Sequence, residues 1–158
     1  MTTYTVRPVP AGVLRELRTA DDAGRPMAAA PDAEGGSPLR CCLRHSTPGE
    51  PIALVSYAPL RRWAAETGAD PGAYDEQGPV FIHAEECPGP AGDALPFTDD
   101  HRTLRRYSAD GRILGGRLVS GADAFAPALT EAFADPEVAV VHVRAVEYGC
   151  FLYEVRRG

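Results

Sequence analysis

At 158 residues, with 44% hydrophobic and 24% charged residues, the chain has the size and balance of one domain with a single core, which excludes disorder along its whole length. Its apolar runs fall far short of the roughly 18 residues that a membrane-spanning helix needs, and a net charge of −6 argues against general nucleic-acid binding. All 16 positive residues are Arg, and the chain holds neither Lys nor Asn; this excludes Lys Schiff bases, Walker-type phosphate loops, N-glycosylation and an Asn-oriented Cys–His pair.

The opening MTTYTVRPVP lacks the basic-then-apolar pattern of a secretory signal, so a cytoplasmic protein is expected. A short strand is predicted over Thr3–Val9, followed by a helix carrying Val13, Leu14 and Leu17 at helical spacing with Pro10 near its start. Residues 21–38 are Gly, Pro, Ala and Asp with almost no apolar periodicity and read as a long loop. Leu39–Arg44 reads as a strand, with Leu39, Cys41 and Leu43 on one face and Arg40, Cys42 and Arg44 on the other. The Pro-Gly turn in STPGEP would return the chain along IALVSY, making a hairpin that ends near Tyr57. PLRRWAAETG predicts a short helix ending at Gly68, and Val80–Ala84 a strand. Arg102–Tyr107 and Ile113–Val119 form the clearest hairpin, turned by Asp110-Gly111. A helix carries Phe125, Leu129, Ala132 and Phe133 and stops at Asp135-Pro136. Val138–Val143 and Gly149–Val155 close the chain as a last hairpin. The sum is an α+β fold in one domain over residues 1–158: a mainly antiparallel sheet of about eight short strands and two or three helices, with no internal repeat.

Reactive residues gather where apolar runs end. Strand alternation would set Arg40, Cys42, Arg44, His83, His142 and Arg144 on one polar sheet face or cleft. A thiol flanked by Arg is activated toward thiolate, and imidazole titrates near neutral pH. Cys42, His83, His142 and Cys150 are therefore the candidate catalytic residues for acid–base or nucleophilic chemistry, with Glu85 or Glu86 orienting a His. Arg40, Arg44, Arg144 and Tyr57 would hold an anionic small molecule. That reading needs no cofactor. A second reading is a zinc site from Cys42, His45, His83 and Cys87, two Cys–His pairs of suitable ligand type. A third is a cleft that binds a small ligand without catalysis, the Cys residues packing as small apolar groups. Enzyme and binding protein both stay open, as does the oligomeric state. The four Cys do not form a disulfide framework in a cytosolic chain of this length.

The segments RCCLRHSTPGEPIALVSYAP, GPVFIHAEEC, LRRYSADGRIL and VVHVRAVEYGCFLYEVRR, spread in order from Arg40 to Arg157, resemble the domain-of-unknown-function 1203 family of small bacterial proteins. The family tends to carry a His-Asn pair before its final Gly-Cys, where this chain has Arg144-Ala145. The resemblance implies one domain in a bacterial cytoplasm and brings no reaction with it; from the residues, the leading expectation is a small-molecule enzyme of bacterial specialised metabolism, and the alternative a non-catalytic small-ligand or zinc-binding protein.

Overall fold

The computed structural model describes residues 3–158, so the first two residues of the N-terminal stretch read above lie outside it. The elements run β1 (Tyr4–Arg7), α1 (Ala11–Thr19), β2 (Ala29–Pro31), β3 (Pro51–Tyr57), α2 (Pro59–Thr67), β4 (Gly78–His83), β5 (Arg102–Ser108), β6 (Ile113–Val119), α3 (Phe125–Ala134), β7 (Val138–Ala145) and β8 (Phe151–Arg157). The α+β class is as expected, and every pair of these strands is antiparallel. The strands divide between two sheets, one ordered β1-β8-β7-β5-β6 and one ordered β2-β3-β4. Contacts divide the chain accordingly into two compact units. One holds the residues up to Arg7 with Ala58–Glu76 and Thr98–Gly158; the other holds Pro8–Tyr57 and Gln77–Phe97.

In the five-stranded unit β7 is buried on both faces, which is why it reads as a nearly continuous apolar run, while the edge strand β6 is mostly exposed. Alternation sets Tyr107 and Val140 on one face, where they form a core with Leu60 and Trp63 of α2. The opposite face carries Val141, Val143 and Val155, and Tyr4 on that face stacks on Phe133 of α3 at 5.9 Å between ring centroids. Helix α2 begins on Pro59, whose fixed φ suits a first helical position, and ends on Gly68. Gly68 takes the left-handed conformation (φ +77°) and its N–H closes on the Ala64 carbonyl. The β5–β6 turn is longer than a two-residue reversal. Ser108 donates to the Arg112 carbonyl, and Gly111 takes φ +86° with Pro71 so close that a Cβ would touch it.

In the three-stranded unit β3 is central, paired from Pro51 to Tyr57 with β2 on one side and β4 on the other. The segment read as a loop over 21–38 contains β2 and is held by two carboxylates. Asp21 accepts N–H groups from Ala23, Arg25 and Ser56; Asp32 accepts from the Gly35 N–H and from the hydroxyls of Ser37 and Ser46. These are hydrogen bonds from backbone N–H groups and serine hydroxyls to two carboxylates, which leave no hydrophobic period in a sequence. Among the described residues no helix is long and apolar enough to cross a membrane.

Candidate metal centre

Leu39–Arg44 is a turn and not a strand, which corrects the predicted first hairpin. The Leu39 N–H donates to the Arg44 carbonyl and the Leu43 N–H back to the Leu39 carbonyl, both at 2.9 Å. Leu43 takes φ +57°, a conformation that branched and bulky residues reach only when the surrounding structure holds them there. The turn is fastened to β4, where the Arg40 N–H donates to the Phe81 carbonyl. A strand would expose every second side chain; here Leu39, Arg40, Cys41, Cys42 and Leu43 are all buried. Because the chain reverses at this point, two consecutive cysteines face the same spot, the end of β4.

His83 is the last residue of β4, and Cys87 lies on the loop that leaves it. Arg18, in the last turn of α1, donates to the carbonyls of His83 (3.2 Å) and Glu85 (2.8 Å), which fixes the start of that loop. The result is a cluster of Cys41, Cys42, His83 and Cys87 whose donor atoms all lie within 4.8 Å of one another. Cys41 Sγ is 4.0 Å from Cys42 Sγ and 3.3 Å from His83 Nδ1, and Cys42 Sγ is 3.8 Å from the same nitrogen. A tetrahedral zinc, with Zn–S of about 2.3 Å and Zn–N of about 2.0 Å, sets S···S at roughly 3.8 Å and S···N at roughly 3.5 Å. The cluster is thus close to the spacing of a Cys₃His site, with Cys41 in the place expected for His45.

The far side of the imidazole is also arranged. Glu50 Oε2 accepts from His83 Nε2 at 2.7 Å and from Arg44 Nη2 at 2.9 Å, while Oε1 accepts from Arg44 Nη1 and from the Thr47 N–H. A carboxylate on Nε2 keeps the proton there and leaves the Nδ1 lone pair for the thiol side, as metal-ligating histidines require. The paired bonds from Arg44 hold the Glu50 carboxyl far below its usual range. Between the two adjacent thiols, hydrogen bonding from Cys41 pulls Cys42 below the ordinary thiol range, while the same bond together with burial pushes Cys41 up. Burial raises Cys87. Cys42 is therefore the most readily deprotonated of the three sulfurs, and binding a metal would release protons from the thiols.

The remaining predicted residues have other employment. Arg40 is buried, its Nη1 donating to the Pro38 carbonyl at 2.5 Å. Arg44 is engaged with Glu50. Tyr57 is buried at the end of β3. His45 bridges to Pro38 and packs edge-on against Phe97. His142, Arg144 and Cys150 belong to the five-stranded unit. Arg144 pairs with Glu76 and donates to the Gly149 carbonyl at 2.6 Å. Cys150 precedes β8, and its carbonyl accepts from the Ala145 N–H. His142 is fully buried between the rings of Tyr107 and Phe151, with Nε2 3.0 Å from Glu154 Oε1.

Burial pushes the His142 imidazole below its ordinary 6.5 against the pull of Glu154, so the pair is a neutral His on a charged carboxylate. The unfolded chain then binds the proton more readily than the folded one, and stability rises with pH across that window. The melting temperature of the wild type is expected to drop as pH is lowered from neutrality through 6.5. A His142→Gln variant should lose that part of the slope; an equal slope in both proteins would refute the assignment.

The fold and this ligand set together define an α+β protein with a candidate Cys₃His metal centre. The profile of the family described as "Protein of unknown function (DUF1203)" matches residues 36–157, a span that includes all four candidate ligands and most of the chain, and the chain belongs to that family. No curated protein and no solved structure matches. Cys41 was missed as a candidate ligand because alternation on a strand would have turned it away from Cys42. The cysteine doublet between Pro38 and the Pro-Gly turn is the signal that would have found it.

Proposed function

We propose that this chain is a zinc-binding protein, with Cys41, Cys42 and Cys87 sulfurs and His83 Nδ1 holding one tetrahedral ion. The observation that carries the reading is the convergence of four soft and borderline donor atoms within 4.8 Å, backed by Glu50 on the far nitrogen of the histidine. Four protein ligands complete the tetrahedron, so the ion would tie the 39–44 turn to the loop after β4 and leave no position for substrate. Three thiolates on a divalent ion leave one net negative charge, which the Arg44 guanidinium near Cys42 and the Arg18 guanidinium near Cys87 offset. Reduced thiols in such a centre suit a reducing compartment, in support of a cytoplasmic setting. Metal analysis of protein purified without added metal tests the reading. About one zinc per chain is expected, falling to none after chelation under reducing conditions; a metal-free protein that also fails to take up added zinc would overturn it.

One observation favours a second reading, thiol chemistry without metal. Cys42 is the activated member of its pair and lies 3.8 Å from an imidazole nitrogen, the arrangement a nucleophilic cysteine uses. Thiol labelling of the metal-free protein across pH separates the two. Fast alkylation of Cys42 alone near neutral pH, in a protein that binds no zinc, would favour chemistry over structure.

A further inference from the structure

The five-stranded unit holds a second place where an unusual residue sits. On the sheet face covered by α3, the pleat aligns Leu104 and Arg106 of β5 with Val143 and Val141 of β7, both fully buried. A guanidinium on that apolar face is expensive to keep unless something answers its charge. Arg106 is half-buried and has no hydrogen-bond or ion-pair partner among the described residues. Its head lies over Gly115, its cross-strand partner, where a Cβ would collide with Nη2. Leu104, Arg106, Gly116, Arg117, Ala128 and Ala132, with Glu131, line a cavity of about 390 Å³ between β5–β6 and α3, within the size range of small-ligand sites.

We infer that this cavity binds a small monocarboxylate with an apolar tail, the carboxylate on the Arg106 guanidinium and the tail along Leu104, Ala128 and Ala132. A single fork of N–H donors matches a planar carboxylate through two parallel bonds. Arg117 is the other cation in the lining, and it is ion-paired with Glu131. A phosphate dianion would therefore meet one available cation and a neighbouring carboxylate, which disfavours it. The small residues at 116, 128 and 132 keep open the volume that a larger residue would fill. The site shares no residue with the Cys₃His cluster, so either reading can fail without the other.

The test is a titration of the full chain with hexanoate, followed by ¹H–¹⁵N NMR, with hexanol and inorganic phosphate as comparison probes. Saturable shifts are expected at the Arg106 side chain and at the amides of Gly115, Gly116 and Ala128. Arg106→Gln should weaken hexanoate by about tenfold or more, the usual cost of losing a charge-assisted pair. Gly115→Ala keeps the arginine and displaces its head, so it should weaken binding as well, and melting curves of both variants report whether they fold. Hexanol binding as well as hexanoate, phosphate binding more tightly, unsaturable shifts, or an affinity unchanged in both variants would each overturn the inference.

Discussion

Replacing Cys41 by Ser is expected to weaken zinc binding more than a hundredfold, whereas replacing His45 by Ala is expected to leave it intact. The pair of variants separates the ligand set of the structure from the one the sequence suggested. Cys41 Sγ is buried 3.3 Å from His83 Nδ1, while the His45 ring lies against Phe97. Structural zinc contributes apparent free energies of about 10–16 kcal/mol in small zinc-dependent peptides. One ligand in four therefore carries on the order of 3 kcal/mol, or more than a hundredfold in affinity. Chelator competition reads the loss directly. Thermal melting reads it a second time, because a metal that binds only the folded chain raises its melting temperature by mass action. An unchanged zinc affinity in Cys41→Ser together with its loss in His45→Ala would reverse the assignment.

The second large effect is expected at a residue that never touches the ion. Glu50→Gln should lower zinc affinity by about 10- to 100-fold, the usual consequence of altering a carboxylate that orients a metal-bound imidazole. Glu50 holds the proton on His83 Nε2 and is itself held by two bonds from Arg44. A neutral amide can still accept one of these bonds, but it no longer places a charged carboxylate on the ring N–H or matches the Arg44 fork. A merely structural ion pair on the surface would behave otherwise, since removing it would shift the metal-free melting curve and leave affinity alone. The expected signature is therefore a metal-free protein that melts close to the wild type and a zinc-loaded protein that has lost much of its added stability. Equal zinc affinity in wild type and Glu50→Gln would remove Glu50 from the site.

The legible parts of this fold are those where one physical signal dominates. The α2 stop at Gly68, the α3 stop at Asp135-Pro136 and the β5–β6 and β7–β8 hairpins follow from backbone chemistry that neighbouring residues cannot hide. About eight strands were expected and eight are present among the described residues, yet Leu39–Arg44 is a turn and Ala29–Pro31 is the strand that replaces it in the count. Leu-Arg-Cys-Cys-Leu-Arg has the period of a strand. What decides its shape is tertiary: its attachment to β4 through Phe81 and the burial of five consecutive side chains. At the site, His83 and Cys87 were readable as ligand types at the end of an apolar run. Cys41 was not, because its direction depends on that turn. Glu50 could not be found from spacing either, since it approaches His83 from another segment altogether. Alternation placed His142 and Arg144 on one face correctly, but that face is buried under α2 and carries Glu154 and Glu76 as their partners.

X-ray absorption at the zinc edge of the loaded protein is the most direct measurement of the central claim. Three sulfurs at about 2.3 Å and one nitrogen at about 2.0 Å are the expected shell, with one sulfur lost in Cys41→Ser. A shell of oxygen and nitrogen alone, or one whose sulfur count does not change when Cys41 is replaced, would contradict it.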